Sequence, residues 1–488
     1  MTREDCELYP DFRGEIEAID KAGISVELLQ HIISKHRGNS EYNKKLRDRY
    51  KAIESGVPIF ERKPRFEEEA NSINNKVNND FFAEIIDIKT GYFAGKPFAY
   101  SYSHSTESEM DTGGEQNIDK ATTALSDFTT RSSMYDVDLD MTKYAAMCGY
   151  CGRLLYIDLD GEPRAMIVPP WETIILSKNG MGEPSYAIRY YEYKDWQNNS
   201  ICKAEFYDET SITFFSGNSW IGLQEEDKQP HCFDYCPLQG IENNAETLGD
   251  AERVLALIDA YDRSVSDAVN EVESFANSYM VFENIPIDDD MLTKAAKTGA
   301  ISFSTGMNDG KVYFLTKENT GQFQENELNR LQENIYKFSK TPNLSDISFS
   351  QTTGTALKFK LVSLEAKCGM FQSKLQAANT YMFKVLASCF RKKTIDFDPL
   401  QAFVNYKRNF PLDLQAEADA ATKLLAAGIP MRIVLEQLSF IDDVDYAMQL
   451  IEDEKSSIPS LMTMTAEDNM TDNEESSDSS LFSGTDTE

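Results

Sequence analysis

The sequence predicts an α+β protein of several packed units, and three observations predict it. Apolar residues recur at helical spacing on both sides of a central stretch. That stretch, Gly152 to about Phe215, alternates instead in short runs separated by turn residues. A third run, Leu357 to Cys389, holds an unbroken spacing of fours and threes over ten positions. At 488 residues the chain is too long for one core, and about 150 residues per domain suggests about three units. Hydrophobic residues at 41% and charged residues at 26% exclude a wholly disordered or fibrous chain.

After a polar leader, Ser25 to about Gly56 reads as helix, with Leu28, Leu29, Ile32 and Ile33 on one face. Its basic run, Lys44, Lys45, Arg47, Arg49 and Lys51, reads as a solvated face. Asn71 to Pro97 opens with asparagines suited to N-capping, then repeats Phe82, Ile85, Ile86, Lys89 and Phe93 at helical spacing. Gly95 and Pro97 stop that helix. Residues 101–120 are polar and glycine-bearing, hence a loop, and helix resumes from Asp127 to Ala146. The central stretch is an antiparallel β unit: RLLYID, a turn at Asp160 and Gly161, AMIVP, then Tyr186–Tyr193, Ala204–Tyr207 and Ser211–Phe215.

From Asn244 the pattern is helical again. Val254, Ile258, Tyr261, Val265, Ala268, Val272 and Ala276 alternate steps of four and three, which predicts a helix of about 30 residues and roughly 45 Å. Tyr279 to Lys317 is short and mixed: strand-like YMVF, helix-like MLTKAAKTG, strand-like KVYFLT. Glu325 to Ser339 is helical, and a polar stretch, Thr341 to Gly354, separates it from the second long helix. There Leu357, Leu361, Leu364, Cys368, Phe371, Leu375, Ala378, Met382, Val385 and Cys389 form the ten-position stripe. Such a run suggests a coiled coil or a repeat, and the polar residues between exclude a membrane span. FVNYKRNFPLD reads as strand, and Leu414 to Ile451 as two or three short helices broken at Gly428 and Pro430. After Lys455 eight acids and no base stand among polar residues, a composition that predicts disorder.

Lysine and arginine total 48 against 81 acids, a net charge of −33, which disfavours a protein that wraps nucleic acid by neutralising phosphates. The tail carries −8 of it, so the body is acidic too. No stretch reaches the roughly 18 apolar residues of a membrane helix, and the start lacks the order of a signal peptide. The chain is expected to be cytosolic when made. Eight cysteines are too sparse for a disulfide scaffold, and four histidines leave little for a metal site.

Candidate chemistry is thin. Cys148 and Cys151 have the spacing of a redox pair or half a zinc site, and Cys232 and Cys236 beside His231 could supply the other half. The first pair runs into a strand and the second is remote, so structural thiols are the better reading, with no metal and no cofactor. Gly91 to Pro97 has three residues between its glycines where a phosphate loop needs four, and Pro97 removes a backbone donor, so it reads as a helix terminus. Ala426 to Leu438 could pass for a helix-turn-helix. It carries only Arg432 and is followed by Asp442, Asp443 and Asp445, so a packed helical hairpin is the better reading. Thr341 to Thr353 mixes polar residues with Leu344, Ile347 and Phe349, a surface loop unless assembly points it at something.

Four stretches resemble the portal proteins of long-tailed (siphovirus-type) bacteriophages of Gram-positive hosts. They are NNKVNNDFFAEIIDIKTGYFAGKP, NNAETLGDAERVLALIDAYDRSVSDAVNEVESFANSYMVFEN, TGTALKFKLVSLEAK and VNYKRNFPLDLQAEADAATKLLAAGIP, in that order between about residues 70 and 450. The resemblance implies a non-enzymatic ring, usually of twelve subunits, at one capsid vertex, through which double-stranded DNA enters and leaves. The implied fold has a wing of antiparallel β and helices, a two-helix stem, a small α/β clip and a helical crown.

Carried onto this chain, residues 1–243 are the N-terminal wing region, 244–276 the first stem helix, 277–320 the clip and 321–340 the second stem helix. Residues 341–354 are then the tunnel loop, 355–412 the long wing helix and strand, 413–455 the crown and 456–488 the disordered acidic tail. The loop residues implied to face DNA are Asn343, Leu344, Ser345, Asp346, Ile347, Ser348, Phe349, Ser350 and Gln351. Lys340, Lys358 and Lys360 are further candidates, though a lysine near a helix end also complements the dipole. Implied partners are further copies of itself, DNA without sequence preference, the terminase large subunit, scaffolding and major capsid proteins and a head-completion adaptor, with no membrane. The implied location is the virion, after assembly in the host cytoplasm. An acidic lining suits a conduit, because it lets a duplex slide where a basic one would hold it. The rival readings are a coiled-coil scaffold built on Thr355 to Phe390 and a zinc or thiol enzyme using Cys148 and Cys151.

Overall fold

The computed structural model describes residues 9–64, 73–102, 112–178, 180–276, 280–283, 311–314, 321–344, 359–409, 414–438, 441, 444 and 447–452. They form two compact units, residues 1–409 and 410–488, where length alone suggested three.

In the first unit, α1 (Arg13–Ala22) and α2 (Val26–Tyr50) open the chain, with the Ser25 hydroxyl accepting from the Leu28 amide as N-cap. Helix α2 stops six residues short of Gly56, because Ala52 turns left-handed at φ 51 and the chain doubles back on Asp48 and Arg49. The basic run is only partly solvated. Lys44, Lys45 and Lys51 are exposed, but Arg49 is buried over the Phe82 ring and paired with Asp259, and Arg47 lies over Trp171.

Helix α3 (Phe81–Ala94) is preceded by asparagines that do not cap it; Asp80 at φ 52 stands at its start without a side-chain cap. The strand β1 (Ala99–Tyr102) follows. Helix then resumes earlier than the polar composition suggested, as α4 (Thr112–Arg131), and breaks where Ser133 turns to φ 50 before α5 (Met134–Cys148).

Gly149 at φ 87 turns the chain out of α5 into the β region, and a Cβ there would collide with the Thr247 carbonyl. Every pairing is antiparallel, as the alternation predicts. One sheet is ordered β3 (Pro163–Val168), β2 (Tyr150–Ile157), β9 (Leu238–Glu242). The other runs β4 (Thr173–Leu176), β5 (Tyr186–Lys194), β6 (Ser200–Tyr207), β7 (Ser211–Gly217), β8 (Gln224–Pro230). The unit extends beyond the expected Phe215. Strand β4 is buried through and β9 over its first four residues, so neither alternates, and β8 is exposed at every position.

Helix α6 (Leu255–Ala276) has 22 residues, fewer than its apolar spacing suggested, because Asn243 and Asn244 hold the chain before it in a side-chain-bonded turn around Leu248. A hairpin of β10 (Met280–Glu283) and β11 (Lys311–Phe314) matches the two strand-like strings, while MLTKAAKTG lies outside the described residues. Helix α7 (Gly321–Ser339) returns along α6, with Gln324 bonded to Glu271 at 2.8 Å.

The second long helix is α8 (Val362–Lys392), and β12 (Ala402–Asn405) pairs with β1. Eight positions of its stripe, Leu364 to Cys389, are at most 1% exposed. Met382, Val385 and Cys389 share one core with residues of α4, α5 and β3, and Phe371 meets Phe93 of α3. The seam that a coiled coil would share with another chain is therefore filled internally, which removes the basis of the scaffold reading. In the second unit, α9 (Leu414–Ala426) and α10 (Met431–Gln437) flank Gly428 at φ 83 and Pro430, a helical hairpin as expected. Among the described residues no helix is long and apolar enough to cross a membrane.

Candidate functional site

The chemistry of the molecule concentrates between α3, the chain before α6, the end of α7 and α8. The asparagine-rich run before α3 lies extended along α6. The amides of Asn75, Val77 and Asn79 donate to the side chains of Asn270, Ser266 and Asp262 at 2.7, 2.9 and 3.0 Å. Two extended residues advance about 6.7 Å and four helical residues about 6 Å, so alternate amides meet every fourth side chain. The polar face of α6 is thus occupied by backbone. Its apolar face continues outward: Val272 is 71% exposed, and Phe323 on α7 equally so.

Helix α7 ends at a residue that is not glycine. Lys340 adopts φ 56, its amide donating to the Lys337 carbonyl at 3.3 Å and the next amide, Thr341, to the Tyr336 carbonyl at 3.1 Å. This is the paired terminus that satisfies a helix's last carbonyls. The Ser339 carbonyl is covered by a side chain from α8: Lys367 Nζ donates to it at 3.1 Å and to Thr341 Oγ1 at 3.3 Å.

Lys367 also faces Asp250, 3.7 Å away, and Asp250 pairs with Lys89 of α3 at 3.0 Å. Lys89 donates to Asn243 Oδ1 and lies 4.7 Å from the Phe371 ring centre, while Asn243 Nδ2 donates to Asp250 Oδ1 at 3.1 Å. All four side chains are buried, that of Asp250 3% exposed. Burial works against the Asp250 carboxylate, but the two ammonium groups and the Asn243 amide outweigh it and hold its pKa below the ordinary range. Burial, aided by Lys89, draws Lys367 below its usual value against the pull of Asp250.

The expected loop residues divide between what is described and what is not. Lys340 is exposed, Asn343 half-buried and Leu344 51% exposed. Lys360 is exposed just before α8. Ser345, Asp346, Ile347, Ser348, Phe349, Ser350, Gln351 and Lys358 lie outside the described residues. The loop reading named no member of the Lys89–Asp250–Lys367 cluster. One signal was present: Lys89 repeats in register with Phe82, Ile85, Ile86 and Phe93, a cation on an apolar face that needs a buried partner. The cysteines have separate packing roles. Cys148 points its thiol at the Asn43 carbonyl and Cys151 at that of Met141, and burial pushes Cys151 up to about 12.

A family model described as phage portal protein, SPP1 Gp6-like, matches residues 29–459. The chain belongs to this portal family. It is 24% identical over 412 residues to the portal protein of Clostridium phage phiCD119, covering 80% of this chain and 87% of that one. To the portal protein of Bacillus phage SPP1 it is 23% identical over 344 residues, 67% of this chain and 65% of the other. Its function is that of a phage portal protein, as the resemblance implied.

Proposed function

We propose that this portal protein acts as a ring of identical subunits, twelve by the resemblance, at one capsid vertex. Double-stranded DNA passes through the ring during packaging and ejection. Residues 244–276 and 321–340 form the stem, 277–320 the clip, 341–354 the tunnel loop and 413–455 the crown, with 1–243 and 355–412 building the wing. The acidic tail, 456–488, is assigned to none of these parts. Its partners on this reading are the terminase large subunit, a head-completion adaptor, and scaffolding and major capsid proteins. The role is structural, and no step of it requires a cofactor.

The observation that carries this reading is the exposed apolar face of the α6–α7 pair. Within one chain, Val269 and Val272 of α6 and Phe323 and Phe338 of α7 remain exposed, whereas the Leu364–Cys389 stripe of α8 is covered. Apolar surface of this kind on paired long helices supports a side-by-side contact that closes on itself. Net charge supports passage over grip, since the acidic body holds few phosphates. The loop's contacts with DNA are then transient and polar, through Asn343, Ser345, Ser348, Ser350 and Gln351, with Lys340, Lys358 and Lys360 at its base.

Deleting Leu344 to Thr352 is expected to leave ring formation intact and to abolish DNA filling of heads. Negative-stain images of the purified variant check the first part and a packaging assay the second. Normal filling would remove the loop's assigned role, and rods or compact small oligomers in place of rings would remove the assembly itself.

A further inference from the structure

We propose that Lys367 is the positioning residue of the tunnel loop, fixing from α8 the direction in which the chain leaves α7; this rests on the loop reading above. The argument starts from a charge count. The buried cluster holds two lysines, Lys89 and Lys367, around a single carboxylate, Asp250, and Lys89 already sits at 3.0 Å from it. One ammonium neutralises one carboxylate, so the second would be an uncompensated buried cation unless something else receives it.

What receives it is the end of α7. An ammonium has three donors, and three acceptors converge on Lys367 Nζ: the Ser339 carbonyl at 3.1 Å, Thr341 Oγ1 at 3.3 Å and the Asp250 carboxylate at 3.7 Å. Two of the three belong to the last turn of α7 and the first loop residues, where unpaired carbonyls and the helix dipole favour a cation. Lys340, between them, holds a left-handed φ of 56, uncommon for a lysine, as the residue that closes the end of α7. Thr341 is buried, whereas Leu344, three residues on, is half exposed, so the chain turns outward immediately beyond the contact. The loop therefore departs from a point pinned to α8, and α8 is anchored throughout the body.

The substitution Lys367→Met keeps the length of the side chain and removes its charge, while Lys89 continues to compensate Asp250, so the variant is expected to fold. Amide hydrogen exchange at Lys340 and Thr341, whose amides close the end of α7, is expected to accelerate roughly tenfold. Lys367→Arg should restore it, and Tm should stay near that of the original protein. Unchanged exchange in Lys367→Met would overturn the proposal, whatever happens to packaging. Faster exchange with packaging reduced supports both the pin and the DNA-facing loop. Faster exchange with normal packaging upholds the pin and removes the DNA-facing reading. Should Lys367→Met fail to fold, Thr341→Val deletes one acceptor and leaves the ion pairs. A smaller acceleration at the same two amides then supports the pin, and none overturns it.

Discussion

Replacing Asp250 by asparagine is expected to destabilise the folded subunit by about 3–5 kcal/mol, the range found when one partner of a buried ion pair is removed. The expectation follows from position. Asp250 is buried between two ammonium groups, 3.0 Å from Lys89 and 3.7 Å from Lys367, and both lysines are themselves buried. Without the carboxylate, two cations share a site from which water is excluded. Asparagine preserves the shape and can still receive a hydrogen bond, so a large effect would isolate charge from packing. Denaturant unfolding of the purified variant measures it. Adding Lys89→Met and Lys367→Met to the same chain is expected to recover part of the loss, because a neutral pocket of similar volume carries no desolvation cost. An Asp250→Asn protein within 1 kcal/mol of the original would mean that the cluster is solvated and carries little.

Much of this architecture was legible because apolar spacing reports burial directly. The stripe from Leu364 to Cys389 is buried at every position. It could not report what covers it: a ten-position run looks the same whether its partner is another chain or, as here, the sheet and helices of its own. Strands β4 and β9 were not legible, since strands buried on both faces do not alternate, and neither was β8, whose residues are exposed on both. The asparagines before α3 misled for a related reason. Asparagine suits a cap, but the same side chains suit any place where backbone must be satisfied away from its own ladder, and here they serve a run laid along α6. The expected 341–354 loop rested on contrast in composition, whereas the ion cluster joins residues 89, 250 and 367, a separation that no local pattern spans.

Acid is expected to remove a stabilising contribution from His36. The ring is fully buried, with Nδ1 2.9 Å from the Tyr190 hydroxyl and Nε2 3.0 Å from that of Tyr150. A neutral imidazole has one donor and one acceptor, and two hydroxyls satisfy both. Tyr150 in turn reaches Asn39 Oδ1 and the Pro170 carbonyl, each at 2.9 Å, so α2 is joined to the start of β2 and to the chain before β4. Burial, opposed only by the Asn39 side chain, lowers the pKa to about 3 from an ordinary 6.5. The sign follows: above 6.5 neither folded nor unfolded chain binds the proton, and below it the unfolded chain does while the folded one does not. Stability from this residue is therefore full above pH 6.5 and falls by about 1.4 kcal/mol per pH unit until about pH 3. Asp138, pushed up to about 7 by burial, works with the opposite sign, stabilising as pH falls through 7 toward the ordinary carboxylate range. The whole-protein curve mixes the two, so the measurement must be a difference. His36→Gln keeps a donor and an acceptor and does not titrate. At pH 7.5 it should be the less stable protein, and by pH 5 the gap should have narrowed by about 2 kcal/mol, the Asp138 contribution cancelling between the two. A gap constant across that range would show that His36 takes up its proton as readily in the folded chain as in the unfolded one, and that the buried link between α2 and the sheets is built differently.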